Sequence, residues 1–377
     1  MKISFSTLAC PDFSWTDIYT MAKDLGFGGI EIRGLGEDIF AVNARPFTDE
    51  RLPKTLEKLQ SLGLEIPCLA AGCALKYKED FDKNISEIVQ YIVLAKKLGT
   101  PYIRVLGDRY PQPEGEVDDA FVVEALKLLG VIAQGFNVCL LVETNGVYSD
   151  TKRLRELLDK VNMPSVAALW DMHHPYRYAG ESPRETVQNL GGLIKYVHVK
   201  DSVMVDGRPQ YRMMGEGDLP IPQMLDALVD IGYDGYISLE WVKRWAQELS
   251  DAGVVFPVRQ LHARLLRHPL HEGGRASGEP PTPASTSAQG DPSTPPSPMC
   301  WTVWSRSSPT RFALNTPSWT TPTLFGVPGR RGPVCPGPHR HGREEGRPRG
   351  HLGLTCPSGT SPSGHQNRRC CDREHRL

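Results

Sequence analysis

Short apolar runs alternate, along the first two-thirds of the chain, with longer segments whose apolar residues recur at helical spacing. The short runs predict strands over 2–8, 28–33, 64–70, 101–106, 137–143, 166–171, 194–200 and 235–240. Between them, SWTDIYTMAKDLGF, ERLPKTLEKLQSLGL, NISEIVQYIVLAKKLGT and VVEALKLLGVIAQGF place apolar residues at i, i+3, i+4 and i+7. That spacing predicts amphipathic helices, and glycines close to their ends supply termination signals. Further helices are predicted in DTKRLRELLDKV, SPRETVQNLG and PIPQMLDALVDIGY, with an eighth in ELSDAGVVFPVRQLHARLL. Eight strand–helix units in about 260 residues fit an α/β fold of the (β/α)8 TIM-barrel type. A doubly wound sheet would need a glycine-rich phosphate turn after an early strand, where this chain has TLACPD.

The periodicity stops near residue 260. Beyond it lie GEPPTPASTSAQGDPSTPPSP and GRRGPVCPGPHRHGREEGRPRG, with neither a helical nor a strand repeat. Such composition cannot bury enough apolar area to offset chain entropy, so disorder is the expectation. The expected division is a barrel over 1–265 and a low-complexity tail over 266–377. No lysine follows Lys243, no isoleucine follows Ile237 and no tyrosine follows Tyr236. Those residues use AT-rich codons, so the tail reads as a GC-rich gene translated out of frame, with a natural Pro/Arg-rich linker as the alternative. Its Cys370–Cys371 pair and its histidines are given no metal role, because nothing fixes their geometry.

Composition narrows the functional classes. A hydrophobic content of 40% over 377 residues supports a sizeable core, and a formal net charge of -1 argues against a general nucleic-acid binder. No apolar run approaches the roughly 20 residues of a membrane helix. TLAC at Cys10 has no preceding apolar region of a secretory signal, and Lys2 to Thr7 alternates like a strand. Cys10, Cys68, Cys73 and Cys139 form no CxxC pair and read as thiols of a cytoplasmic protein.

In such a barrel, chemistry sits where strands run out at their C-terminal ends. Strand two ends near Glu31 and Arg33, and strand four carries Arg104. Strands five to eight end in Glu143 (VETNG), Asp171 (LWDMHHPY), His198 (YVHVKD) and Glu240 (ISLEW). Three bare carboxylates there would repel one another and lose hydration. A divalent cation removes that conflict, and three oxygens with one imidazole suit Mn²⁺, Mg²⁺ or Co²⁺.

The motifs VETNG, LWDMHHPY, YVHVKDS, MMGEGDLP and YDGYISLEW, in this order, resemble the xylose isomerase-like sugar isomerase/epimerase superfamily over residues 1 to about 260. The resemblance implies that Glu143, Asp171, His198 and Glu240 bind one catalytic divalent metal, Mn²⁺ first among the candidates. It also implies that Glu143 and Glu240 act as acid and base on the carbon next to a ketone carbonyl, in a keto-sugar or related polyol. Lys200 and Arg104 are candidates to hold a substrate oxygen, carboxylate or phosphate, although Lys200 is equally placed to pair with Asp201. Glu216, in GEGD, has a family counterpart in the loop after strand seven and is a further substrate-binding candidate. His174 fits the family's Asp-x-x-His pattern and is expected beside a substrate oxygen, while His173 is expected to pack. For this the strand must end at Asp171 and the chain must turn before Pro175. Trp15, Trp170 and Trp241 are candidate pocket walls, with core packing favoured for Trp170.

Two departures bear on substrate. Ser149 lies where epimerases of free ketoses carry a further glutamate, and Arg208 and Arg212 lie beyond the position of their substrate-gripping arginine. The HVKD and GEGD motifs also suit an inosose-type dehydratase, a lyase that uses the same proton abstraction. The related apurinic endonucleases need histidines on strands two to four, and before residue 260 this chain has only His173, His174 and His198. A barrel retained as a non-catalytic module is the alternative from another class. The expected partner is a small carbohydrate or polyol, with no nucleic acid and no membrane, and a homo-oligomer is compatible with the sequence.

Overall fold

The computed structural model describes residues 1–257. Eight parallel strands form one sheet: β1 (Lys2–Ser6), β2 (Gly29–Glu31), β3 (Cys68–Ala74), β4 (Tyr102–Leu106), β5 (Cys139–Glu143), β6 (Val166–Asp171), β7 (Ile194–Val199) and β10 (Tyr236–Leu239). Their order is β2-β1-β10-β7-β6-β5-β4-β3. The two ends of that row meet through parallel bridges, Gly29 with Glu65 and Ile32 with Leu69, so the sheet is a nearly closed barrel. The barrel seals between its first and last strands by a ladder from Lys2–Tyr236 to Phe5–Leu239.

Helices α1 (Trp15–Asp24), α2 (Leu52–Leu62), α3 (Phe81–Leu98), α4 (Asp119–Gly135), α5 (Thr151–Val161), α6 (Pro183–Leu190) and α7 (Ile221–Asp230) occupy the crossovers. Helix α5 illustrates the local logic. The Asp150 side chain accepts from Arg153 N–H, Leu154, Leu157, Leu158 and Val161 are buried, and Asn162 closes the helix in the left-handed region at φ 47. Each such leucine contributes roughly 2 kcal/mol of transfer free energy. The eighth helix is short within the described residues, α8 (Ala252–Val255). It brings Phe256 to ring-centroid distances of 4.9 Å from Phe5 and 5.6 Å from Phe27. Val258, Leu261 and Leu265, expected on that helix, and the tail from 266 lie outside the described residues.

The strands feed two cores with a period of two. Phe5, Ile30, Ile103, Leu140, Val142, Trp170 and Val197 face the helices. Cys68, Leu141, Ala167, Leu169, Tyr196 and Tyr236 fill the barrel interior. Continuing the inward series toward the strand C-termini reaches Glu143, Asp171, His198 and Glu240. The alternation that packs the floor of the barrel therefore aims four ligand-type side chains at its mouth.

Two features differ from the sequence expectation. Strand three runs over Cys68–Ala74 and not 64–70, because Pro67 has no N–H to give to the ladder. A hairpin also follows strand seven, β8 (Asp201–Val205) and β9 (Arg208–Arg212), joined through Asp206 and Gly207, both at positive φ. The Asp-Gly turn between alternating segments was its signal. Among the described residues, no helix is long and apolar enough to cross a membrane.

Candidate active site

The ladder hydrogen bonds continue past the strand ends and fix the site. Thr144 N–H donates to Leu169 O at 3.0 Å, Met172 N–H to His198 O at 3.0 Å, and Glu240 N–H to Val199 O at 3.0 Å. Thr144 Oγ1 accepts from Asp171 N–H at 2.9 Å, clasping β5 to β6. The closing loop of β5 is equally tight. Gly146 has φ +58, and a Cβ there would lie 2.3 Å from Asp108 Oδ2, so only glycine lets the chain pass. Buried Asp108 in turn accepts from Val147 N–H at 3.0 Å and pairs with Lys76 at 3.2 Å.

On this frame Glu143, Asp171, His198 and Glu240 each offer a ligand atom, all within 4.8 Å of one another, and all four residues are buried. His198 Nδ1 faces the three carboxylates, 3.4 Å from Glu240 Oε1, 3.6 Å from Glu143 Oε1 and 3.9 Å from Asp171 Oδ2. It has no hydrogen-bond partner. The other ring nitrogen, Nε2, lies 3.0 and 3.1 Å from the two oxygens of Glu31 on β2. Glu31 was legible as a strand-end acid, but its partner on β7 was not.

Two cations complete the cluster. Arg104 Nε lies 3.2 Å from Glu143 Oε2, and its Nη1 donates to Ala71 O at 2.9 Å. Lys200 Nζ donates to Asp171 Oδ2 and, at 2.5 Å, to Glu240 Oε2. Pairing of Lys200 with Asp201 does not occur, because neighbours on an extended chain point to opposite sides. Asp201 instead accepts from the backbone N–H groups of Gly215 at 2.9 Å and Gly217 at 3.0 Å, tying down the loop after the hairpin. Glu216 sits on that loop, exposed and outside the cluster.

His174 joins the cluster, and His173 has a ring nitrogen within 4.8 Å of Asp171 and His174 but is not grouped with Glu143, His198 and Glu240. β6 ends at Asp171 and a wide helical turn follows over Pro175–Ala179, as the Asp-x-x-His reading requires. His174 Nδ1–H donates to Thr144 O at 3.1 Å, which leaves Nε2 3.7 Å from Asp171 Oδ2. His173 Nε2 shares a hydrogen bond of 3.0 Å with Ser202 Oγ. Trp170 and Trp241 belong to the apolar core, and Trp15 packs edge-on against Tyr19 and Phe47. The rings nearest the histidines are Tyr178, 5.9 Å from His174, and Tyr211, 5.8 Å from His173. Sequence reading had passed over both.

Electrostatics follow from this crowding. Burial alone would depress His198, but Glu31, Glu240 and Glu143 outweigh it and raise the imidazole well above its ordinary value. Burial, with Glu240 and Glu143 nearby, pushes Asp171 up to about 6 despite Lys200. Burial opposes ionisation of Glu240 too, yet Lys200 and His198 hold it well below the usual carboxylate range. Burial and Lys200 keep His174 neutral. The four carboxylates Glu31, Glu143, Asp171 and Glu240 face two fixed cations, Arg104 and Lys200, and a neutral His198 then leaves two negative charges uncompensated. One divalent cation closes that count, and the unpartnered His198 Nδ1 is the nitrogen donor it would need. The residues present fit such an ion.

Known proteins agree with this architecture. The chain is 25% identical over 272 residues to 3-dehydroshikimate dehydratase of Bacillus anthracis, covering 67% of this chain and 95% of that protein. It superposes on an L-ribulose 3-epimerase with a TM-score of 0.57 at 16% identity, covering 74% of this chain and 99% of that one. It superposes on the IOLI protein, solved with a bound zinc atom, with a TM-score of 0.56 at 17% identity, covering 70% and 98% of the two chains. The description "xylose isomerase-like TIM barrel" matches residues 20–256, and the chain belongs to that family.

Proposed function

We propose that this barrel is a divalent-metal-dependent isomerase or epimerase of a keto-sugar or related polyol ketone, working by proton transfer at the carbon next to the carbonyl. One observation carries the reading: Glu143, Asp171 and Glu240 converge on the Nδ1 of His198, which has no hydrogen-bond partner, and two negative charges stay uncompensated once that imidazole is neutral. Those four residues would hold the ion; the donor set suits Mn²⁺, Mg²⁺ or Co²⁺, and the resemblance to the family puts Mn²⁺ first. When bound, it would supply Lewis-acid polarisation of the substrate carbonyl.

The protein's own groups divide the remaining work. Glu143 and Glu240 come from strands β5 and β10, on either side of the His198 ring, and each keeps one oxygen toward the ring and the other on a cation. Arg104, anchored through Nη1 to Ala71 O, keeps a fixed charge 3.2 Å from Glu143 Oε2. Lys200 is a single charge on a flexible stem, so it can swing from Glu240 Oε2 to a substrate oxygen. That swing frees Glu240 to accept the α-proton, while Glu143 serves the opposite face. General acid–base help of this kind contributes roughly 10²–10⁴-fold in rate. His174, neutral and anchored through Nδ1, presents Nε2 as an acceptor for a substrate hydroxyl.

A second reading is a dehydratase, in which the same α-proton leaves and a β-hydroxyl follows. The match to a dehydratase along 95% of its length favours it. Both readings are tested on Mn²⁺-loaded protein with keto-sugars and inosose in D₂O. Deuterium at the α-carbon of recovered substrate and of an isomeric ketone supports the first reading. A conjugated, dehydrated product supports the second. Purified protein that holds no metal and takes up none with added Mn²⁺ refutes both.

A further inference from the structure

The acid cluster faces a second group of charges across the barrel mouth, and it is basic. At the end of β2 Glu31 points inward to His198, and Ile32, bridged to Leu69 just beyond the strand, is buried against the helices. Arg33 follows at a bend just past the end of β2, and its guanidinium lies over Gly72 of β3. Gly72 on β3 leaves room for it, since a Cβ there would lie 3.3 Å from Arg33 Nη2. Flanking Ala71 and Cys73 are buried against the helices, whereas Gly72 is open to the mouth. The Arg33 guanidinium donates to Ile39 O at 3.3 Å and lies 5.5 Å from the centre of the Trp245 ring.

Arg244, next to Trp245 in the loop after β10, reaches the same rim. Its backbone N–H donates to Leu8 O at 3.0 Å, and its Nη1 to Gly36 O at 2.8 Å, in the loop that follows Arg33. Its Nε and Nη2 are buried with no hydrogen-bond partner. Among the described residues, no carboxylate lies within ion-pair distance of Arg33 or Arg244. Burial, with Arg104 and Arg244 close by, outweighs Tyr91 and Glu87 and brings Arg33 down to about 10; Glu87 is already engaged by the Gly72 N–H at 2.7 Å, and Asp12 is the acid that acts on Arg244. The two idle buried donors of Arg244 are costly unless an acceptor meets them.

We propose that Arg33 and Arg244 form an anion subsite, so that the substrate is a keto compound with a carboxylate or phosphate at the end away from its reacting carbonyl. This rests on the reading that the acid cluster holds the carbonyl end. The aromatic face of Trp245 backs the guanidinium of Arg33 and keeps its fork directed along the rim.

Binding to Mn²⁺-loaded protein is measured by calorimetry for three six-carbon ligands: fructose (neutral), fructose 6-phosphate and 5-ketogluconate. At least one anion should bind about tenfold or more tightly than fructose, as charge-assisted hydrogen bonds imply. Whichever anion it is names the source of the charge. In Arg33→Gln and Arg244→Gln the ratio of anion to neutral affinity should fall toward one, with partial recovery in Arg33→Lys. Where a glutamine variant does not fold, competition by inorganic phosphate or acetate against the preferred ligand in the unmodified protein replaces it, and competition is expected. Equal affinity for all three ligands, no binding of any, no competition, or a preference that survives both substitutions overturns the subsite. Deuterium exchange is scored separately. An anion preference without exchange on any ketone keeps the subsite and removes the proposed chemistry.

Discussion

Glu31→Gln tests the site through a residue that contacts the ligand-type His198 but none of the three carboxylates beside it. The substitution keeps size and shape, so it opens no cavity at a fully buried position. It removes one of the four negative charges around His198, and two uncompensated charges become one. It also replaces the charge-assisted contact at 3.0 Å by a neutral amide, and a hydrogen bond to a charged group contributes about 1.5–3 kcal/mol. Carboxylate partners of ligating histidines alter metal affinity by about 10–100-fold, which is roughly 1.4–2.8 kcal/mol. The two routes to the magnitude agree. Calorimetric titration of Mn²⁺ into metal-free protein at neutral pH should therefore show a Kd raised by about 10–100-fold, with circular dichroism unchanged. A Kd within about twofold of the unmodified protein would mean that Glu31 does not set the donor strength of His198, and the charge count would fail with it.

Other consequences are as direct. Metal affinity should rise with pH: His198 gives up one proton on binding, so log K should climb by about one per pH unit, and more steeply below about 6, where Asp171 is protonated as well; a flat profile contradicts the shared cluster. His174→Ala should lower turnover by about 10²-fold with little loss of stability, whereas His173→Ala should act mainly on stability through its contact with Ser202; the reverse pattern in kinetics and thermal melts inverts the assignment. Asp201→Ala orphans the N–H groups of Gly215 and Gly217 and should cost about 3 kcal/mol, read as a thermal midpoint lowered by roughly 6–12 °C; an unchanged midpoint shows that the loop is held by other contacts.

The barrel was legible because its strands obey one rule throughout, apolar runs with the reactive residue at the end. That rule located Glu143, Asp171, His198 and Glu240, and the turn after Asp171 separated His174 from His173. It could not pair Glu31 with His198, since contacts across a barrel depend on how the sheet closes, and these two residues are 167 positions apart. Lys200 misled for the opposite reason. Asp201 is adjacent in sequence, but pleating turns the two side chains apart and sends Lys200 to Asp171 and Glu240. Arg33 was legible as a residue near the end of strand two, but its neighbour Arg244 was not. Only the folded rim brings Arg244 to the loop that follows Arg33.

The position of Lys200 has a consequence for how the protein matures. Its ammonium bridges two of the acids that an ion would ligate, and a proton on His198 can serve the third. The empty barrel thus carries its own provisional counterions. Chain collapse need not wait for a metal supply, unlike domains that remain unfolded until loaded. On the proposed reading the protein would be made first and charged later, and the choice of metal would pass from the folding chain to the ion pool it then meets.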